Sequence, residues 1–357
     1  MSVSVDHRRP QAFTVLAAAL TVLMLMPAAV LFARVRADVA AQRDSTRLEQ
    51  HGVEYLTALS PLVSALAEAQ SARLSGVNGP SEAVVAAVNG VANVDLRLGE
   101  ELRTTERWRD LRKRIDALPS ASGGPLAVFQ THVEIADLTL ALYDAVRTNA
   151  RLVRDPDNDL SHLQQAVAVD LPATVVEVSR MGDLSRLVAA ASAAQREQLS
   201  PQFGAAVLAV NTYVGSLTDN LQAAVDDTNS GTLSGNLVTP LDTFRKGVES
   251  LTRGANPGGA PDASTMATAQ SQLQVSLSSL AGITVREMAG LLAARLDRLD
   301  NRALEALAAA AVAVLLALGA IALPFVRRRK PPAPVEVVPV DVEGLHDETR
   351  ERTGALR

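Results

Sequence analysis

The chain has 357 residues, a formal net charge of −5 at neutral pH, 3% aromatic residues and no cysteine. This balance speaks against a nucleic-acid partner: the charge is acidic and there are few rings for base stacking. The lack of cysteine excludes disulfides and thiolate metal sites.

Residues 1–11 carry Arg8 and Arg9 and are expected to form a short cytoplasmic tail. Ala12 to Phe32 follows, a run of 21 residues without a charge. About 20 helical residues cross a hydrocarbon core, and a cleaved secretory signal has a shorter apolar region of about 7–15. A first transmembrane helix is therefore expected over 12–32. Arg34, Arg36, Arg43 and Arg47 lie just beyond it and, taken alone, would argue for the opposite orientation.

Residues 33–305 contain 25 Lys and Arg against 32 Asp and Glu. Turn signals cut them into long helices, and no alternation of β-branched and polar residues predicts a strand. The fold class expected is all-α: two transmembrane helices flanking an extracytoplasmic multi-helix domain resembling a four-helix bundle. The first helix is predicted to run from Arg34 to about Ser75, with Leu56, Leu59, Val63 and Leu66 at 3-4 spacing, and to end at Gly76, Asn78, Gly79 and Pro80. Ser81 and Glu82 open a second, to about Leu118, with a stripe through Val84, Val88, Val91, Leu98 and Leu102. A third is predicted from Leu126 to about Val153, with Leu126, Phe129, Val133, Ala136, Leu140 and Tyr143 on its packed face.

Asp155 and Pro156 break the chain before a shorter helix through Val178, and another is expected from Asp183 to Leu199. Ser200-Pro201 and Thr239-Pro240 each read as an N-cap followed by proline at the first helical position. The helix after Pro201 carries a heptad at Phe203, Val207, Val210, Val214, Leu217 and Leu221. The one after Pro240 carries Leu241, Phe244, Val248 and Leu251. Gly254 to Pro261 is expected to be an exposed loop, and one unbroken helix from Ala263 into the next apolar run.

That run, Ala306 to Val326, is again 21 residues without a charge and predicts a second transmembrane helix. Arg327, Arg328, Arg329 and Lys330 follow it, so 327–357 is expected to be a cytoplasmic basic cluster and disordered tail. Both termini then face the cytoplasm. Arginine outnumbers lysine 31 to 3, a usage that fits a GC-rich bacterium. The expected place is the bacterial cytoplasmic membrane, with the bilayer as first partner and a second copy of the chain as another.

Enzymatic motifs are missing from the sequence, and no cofactor is expected. His7, His51, His132, His162 and His346 sit in separate segments, none with a second histidine three or four residues away. There is no glycine-rich phosphate loop and no Gly-x-Ser-x-Gly elbow. What remains is polar residues on apolar seams: Gln70 and Arg73 extend the first helix's spacing, Asp95 interrupts the second, and Arg147 follows Tyr143 on the third. An Arg73–Asp95 structural pair would explain them. So would a polar pocket in which arginines take a carboxylate, nitrate or similar anion.

The stretch Arg151-Leu-Val-Arg-Asp-Pro-Asp-Asn-Asp159, with Leu163 and then Leu171-Pro172, resembles an element of bacterial extracytoplasmic helical sensor domains on chemoreceptors, histidine kinases and diguanylate cyclases. Ala150 and Arg151 stand where those domains carry Ser and Asn. Leu62 to Gly76, with Gln70 and Arg73, is similar to the Gln-x-x-Arg region of such domains, the nitrate- and nitrite-sensing kind included. The resemblance covers roughly 49–187. It implies a sensor domain. With the polar seam residues, a small-ligand site is expected at Gln70, Arg73, Asp95 and Arg147, and because the stretch after Lys330 is short for a kinase, cyclase or chemoreceptor signalling hairpin, output is expected to pass through a separate protein. The other reading of the residues is a non-catalytic envelope scaffold.

Overall fold

The computed structural model describes residues 9–77, 79–120, 123–228, 230–256 and 261–327. Among them, nine α-helices and no strand occur. In chain order these are α1 Arg9–Leu74, α2 Glu82–Leu98, α3 Thr105–Ala117, α4 Pro125–Asn149, α5 Asn158–Gln165, α6 Leu171–Ala190, α7 Ala193–Asp227, α8 Leu233–Ala255 and α9 Ala263–Arg327. A π-helical turn, Ala166–Asp170, joins α5 to α6.

Two compact units result. The smaller is Met1–Phe32 with Leu307–Arg357. Its described apolar side chains are turned outward: Leu23, Met26 and Leu31 are exposed, as are Val312, Leu315 and Leu316. One described helical stretch, Ala263–Gly319, is long and apolar enough to cross a membrane, and its most apolar window has no buried residue. Ten of the 21 side chains of the Ala12–Phe32 run lie outside the described residues, as do residues 1–8 and 328–357 of the predicted tails.

The larger unit is Ala33–Ala306. Its frame is the pair α1 and α9. Arg43 meets Asp300, Glu49 meets Arg295, Ser64 meets Ser278 and Ser71 meets Gln270, so one residue number rises as the other falls. The two helices are therefore antiparallel and in register over the α1 span 43–71, about 42 Å of helical rise. The apolar 3-4 spacing explains the packing: Leu56, Leu59, Val63 and Leu66 of α1 and Leu273, Leu277 and Leu280 of α9 are all buried. Each fully buried leucine contributes about 1.5–3 kcal/mol relative to an exposed one.

Several expected boundaries are corrected. The single helix from Glu82 to Leu118 is two, because the chain turns at Gly99–Thr104 with Arg103 at φ +53 and the Thr104 amide bonded to the Gly99 carbonyl. Asp95 accepts from the Thr104 hydroxyl across that corner at 2.8 Å, tying the turn down. On α4 the buried residues include Phe129 and Tyr143, as expected, together with a line through Val128, His132, Ile135, Thr139, Leu142 and Val146. Leu126 is exposed, and Val133, Ala136 and Leu140 are only half-buried. The seam runs through a histidine and a threonine, so hydrophobicity alone selects a neighbouring line.

No break occurs before Asp183; α6 continues through Gly182, where a Cβ would overlap the Gln270 amide. That glycine is a point of close approach by α9, not a terminator. Ser200-Pro201 and Thr239-Pro240 do not start helices: Pro201 lies inside α7 and Pro240 inside α8. The α7 start is taken earlier by a capping box in which Ser192 and Gln195 satisfy each other's backbone amides. Gly254 and Ala255, expected in an exposed loop, are buried at the end of α8, which Asn256 closes at φ +45. Residues 257–260 of that loop lie outside the described set.

Candidate functional site

A cavity of the bundle opens where α1 ends. Leu74 closes α1, Gly76 and Gly79 turn the chain at φ +89 and +123, and Ser81 caps α2 by accepting from the Val84 amide. This reversal lays α2 beside the last turns of α1, with α3 and α4 completing the walls. The cavity measures about 530 Å³, within the range of about 300–1,000 Å³ usual for small-molecule sites. Its walls are mainly aliphatic, with Val84, Val88 and Ile115 buried.

Half-buried Arg73 from α1 and buried His132 from α4 line it, with Ser81 and exposed Asn89 the other uncharged polar groups. His132 is 7% exposed. Burial, reinforced by the positive charge of Arg73, lowers its pKa to about 4, so the imidazole is neutral at physiological pH. Glu68, Arg112 and Asp116 also border the cavity but are exposed, and Arg112 reaches Asp116 at 3.9 Å.

The four residues predicted for a ligand site do not share this cavity. Arg73 lines it; Gln70, Asp95 and Arg147 do not. Gln70 is buried and donates to Asp183 at 2.9 Å. Asp183 also accepts from Ser71, Ser179 and Arg186, and burial raises its pKa to about 6. Asp95 is not paired with Arg73; it accepts from Tyr55 and Thr104, each at 2.8 Å. Burial pushes the Tyr55 phenol well above its ordinary range. Arg147 reaches Asp144 at 3.5 Å, and its charge is felt by Asp170. Asp170, in the π-helical turn, is buried and accepts from Ser216 and Asn220 of α7.

A second polar centre, missed in the sequence, lies at the opposite end of the bundle. The Asp155-Pro156-Asp157 bend carries two carboxylates to one guanidinium on α9: Arg295 donates to both Asp155 oxygens and to Asp157 at 2.8 Å. Glu49 of α1 accepts from the same Arg295 at 3.3 Å, and Gln164 donates to Asp155 at 3.2 Å. Burial and the neighbouring Asp155 raise the Glu49 pKa to about 7 despite Arg295. The bend thus has a structural duty independent of any ligand: it bridges the two frame helices. Only Asp155-Pro156 was a usable signal, because Glu49 and Arg295 are 246 residues apart.

Among the described residues, no group of three His, Asp or Glu side chains is placed to hold a metal ion. No family model, curated protein or solved structure matches the chain.

Proposed function

We propose that this chain is a membrane-anchored, non-catalytic sensor-like protein. Its bundle stands outside a bacterial cytoplasmic membrane, both tails are cytoplasmic, and it takes a small ligand between helices and signals through a separate partner, as a homodimer. One observation carries the reading: the same uninterrupted helix, α1, lines the cavity with Ala72 and Arg73 and includes the Ala12–Phe32 apolar run. A ligand that shifts the end of α1 has a continuous hydrogen-bonded helix along which to act. The exposed leucines of α9 beyond Ala306 support a second anchor.

The alternative is a scaffold that only spaces partners. It draws support from Gln70 and Asp95, whose polar groups are occupied by Asp183, Tyr55 and Thr104. A ligand screen separates the two. A small molecule that binds only the folded chain must raise its melting temperature, and for a sensor Ala69→Phe, which fills the cavity, removes that rise. Topology is checked by reporter fusions: Ser230 is expected outside and the two termini inside. A cytoplasmic signal at Ser230 would reject the arrangement.

A further inference from the structure

The ligand class follows from how the cavity distributes charge and apolar surface, if the cavity is a ligand site as proposed above. We infer that it takes a small organic acid: one carboxylate beside Arg73 and His132, on an apolar body that fills the aliphatic space.

Three features point this way. The volume of about 530 Å³ exceeds what an inorganic anion fills, and its walls from α1, α2 and α3 are aliphatic at Ala69, Val84, Val88 and Ile115. An anion alone would leave that surface wet. An apolar body displaces that water, which favours binding in proportion to the apolar area covered. Arg73 and His132 present a cation and a neutral imidazole. The positive charge already felt at His132 disfavours a second cation there.

The acidic residues are at the exposed rim, where water screens them: Glu68 is exposed, and Asp116, 65% exposed in its side chain, lies near Arg112. A carboxylate suits Arg73 and His132 because guanidinium and imidazole N–H both donate, and charge-assisted hydrogen bonds are stronger than neutral ones.

The test uses the full chain in lipid nanodiscs, with calorimetric titration of benzoate, benzamide, benzylamine and acetate. Benzoate is expected to bind about ten-fold or more tightly than benzamide and benzylamine, which share its ring but not its charge, and about ten-fold more tightly than acetate, which lacks the ring. Arg73→Gln should bring benzoate down to the level of benzamide. A bound carboxylate also favours the imidazolium of His132, so benzoate affinity should rise from about pH 7 to about pH 5, and His132→Gln should flatten that rise. Equal binding of benzamide or benzylamine overturns the acid class and leaves the cavity a ligand site. Equal binding of acetate overturns the apolar body in the same way. No binding of any probe, or benzoate binding unaffected by Ala69→Phe in a chain that still melts cooperatively, overturns the ligand site itself.

Discussion

At one end of the Ala33–Ala306 bundle Arg295 gathers Glu49, Asp155 and Asp157 into a closed ionic junction, whereas at the other Arg73 and His132 border unfilled space. On α1 the two centres, at Glu49 and Arg73, are 24 residues apart, about 36 Å of helical rise. The junction spends buried charge on holding α1, α9 and the bend before α5 together. The far end sets a cation and a neutral imidazole beside a cavity of about 530 Å³. One end closes its charges into a junction and the other leaves them at a cavity, and the contrast can be broken from either side.

The largest effect is expected at the junction. Arg295→Met leaves Asp155, whose side chain is fully buried, and Glu49 without their cation. Removing one partner of a buried ionic group costs about 3–5 kcal/mol. Urea unfolding of the 33–306 segment measures it, and a loss below about 1 kcal/mol would show that the junction does not hold the frame. Next is Gly52→Ala. Gly52 stands one turn from Glu49 and lets α1 close on Ala150 and Leu152, where a Cβ would overlap Ala150. Overpacking of this kind costs about 1–3 kcal/mol, by holding the bend away from Glu49. A neutral outcome would mean that α1 and α4 separate freely at this point.

Glu49→Gln is expected to stabilise. Because the folded pKa is about 7 against an ordinary value of 4.5, the protonated form is favoured in the fold. The associated stability is complete below pH 4.5 and is lost as pH rises through about 7. Glutamine keeps the neutral form at every pH, so the variant should exceed the parent by about 1–2 kcal/mol at pH 8 and match it near pH 4. A variant that is weaker at pH 8 would show that Arg295 needs the third carboxylate.

How much of this was legible beforehand depended on whether the signal was local. Ser81, Asp155-Pro156 and the start of α9 at Ala263 were readable because a cap or a proline acts within a few residues of itself. The seam of α1 was readable because Leu56, Leu59, Val63 and Leu66 repeat. The α4 seam was readable only in part, at Phe129 and Tyr143, since His132 and Thr139 break the apolar pattern of the rest. Thr139 is tolerated by donating to the Ile135 carbonyl, and His132 by staying neutral. Pro201 and Pro240 misled because a proline at a helix start and one within a helix look alike locally. Of the predicted site, Arg73 lines a cavity, whereas Asp95 is bonded to Tyr55 and Thr104 and not to the arginine proposed for it. Tyr55, 40 residues away, carried no sign that it would reach Asp95.

The smallest effect expected is at the cavity, and it tests whether Arg73 acts there through its charge. Burial is the first cause of the lowered His132 pKa and Arg73 the second. Arg73→Gln should therefore raise that pKa from about 4, while burial still holds it below the ordinary 6.5. The sign for stability is opposite to that of Glu49. A histidine with a depressed folded pKa contributes stability that is complete above 6.5 and lost as pH falls toward 4, because the unfolded chain then binds the proton better. Glu49 and Asp183 lose stability as pH rises over an overlapping window, so the parent's unfolding profile mixes opposing slopes and cannot isolate one group. Proton NMR titration of the His132 ring signals isolates it, with His51 and His162 assigned by substitution. An unchanged His132 pKa in Arg73→Gln would mean that the arginine's charge does not reach the cavity, leaving the sensor reading without its cation.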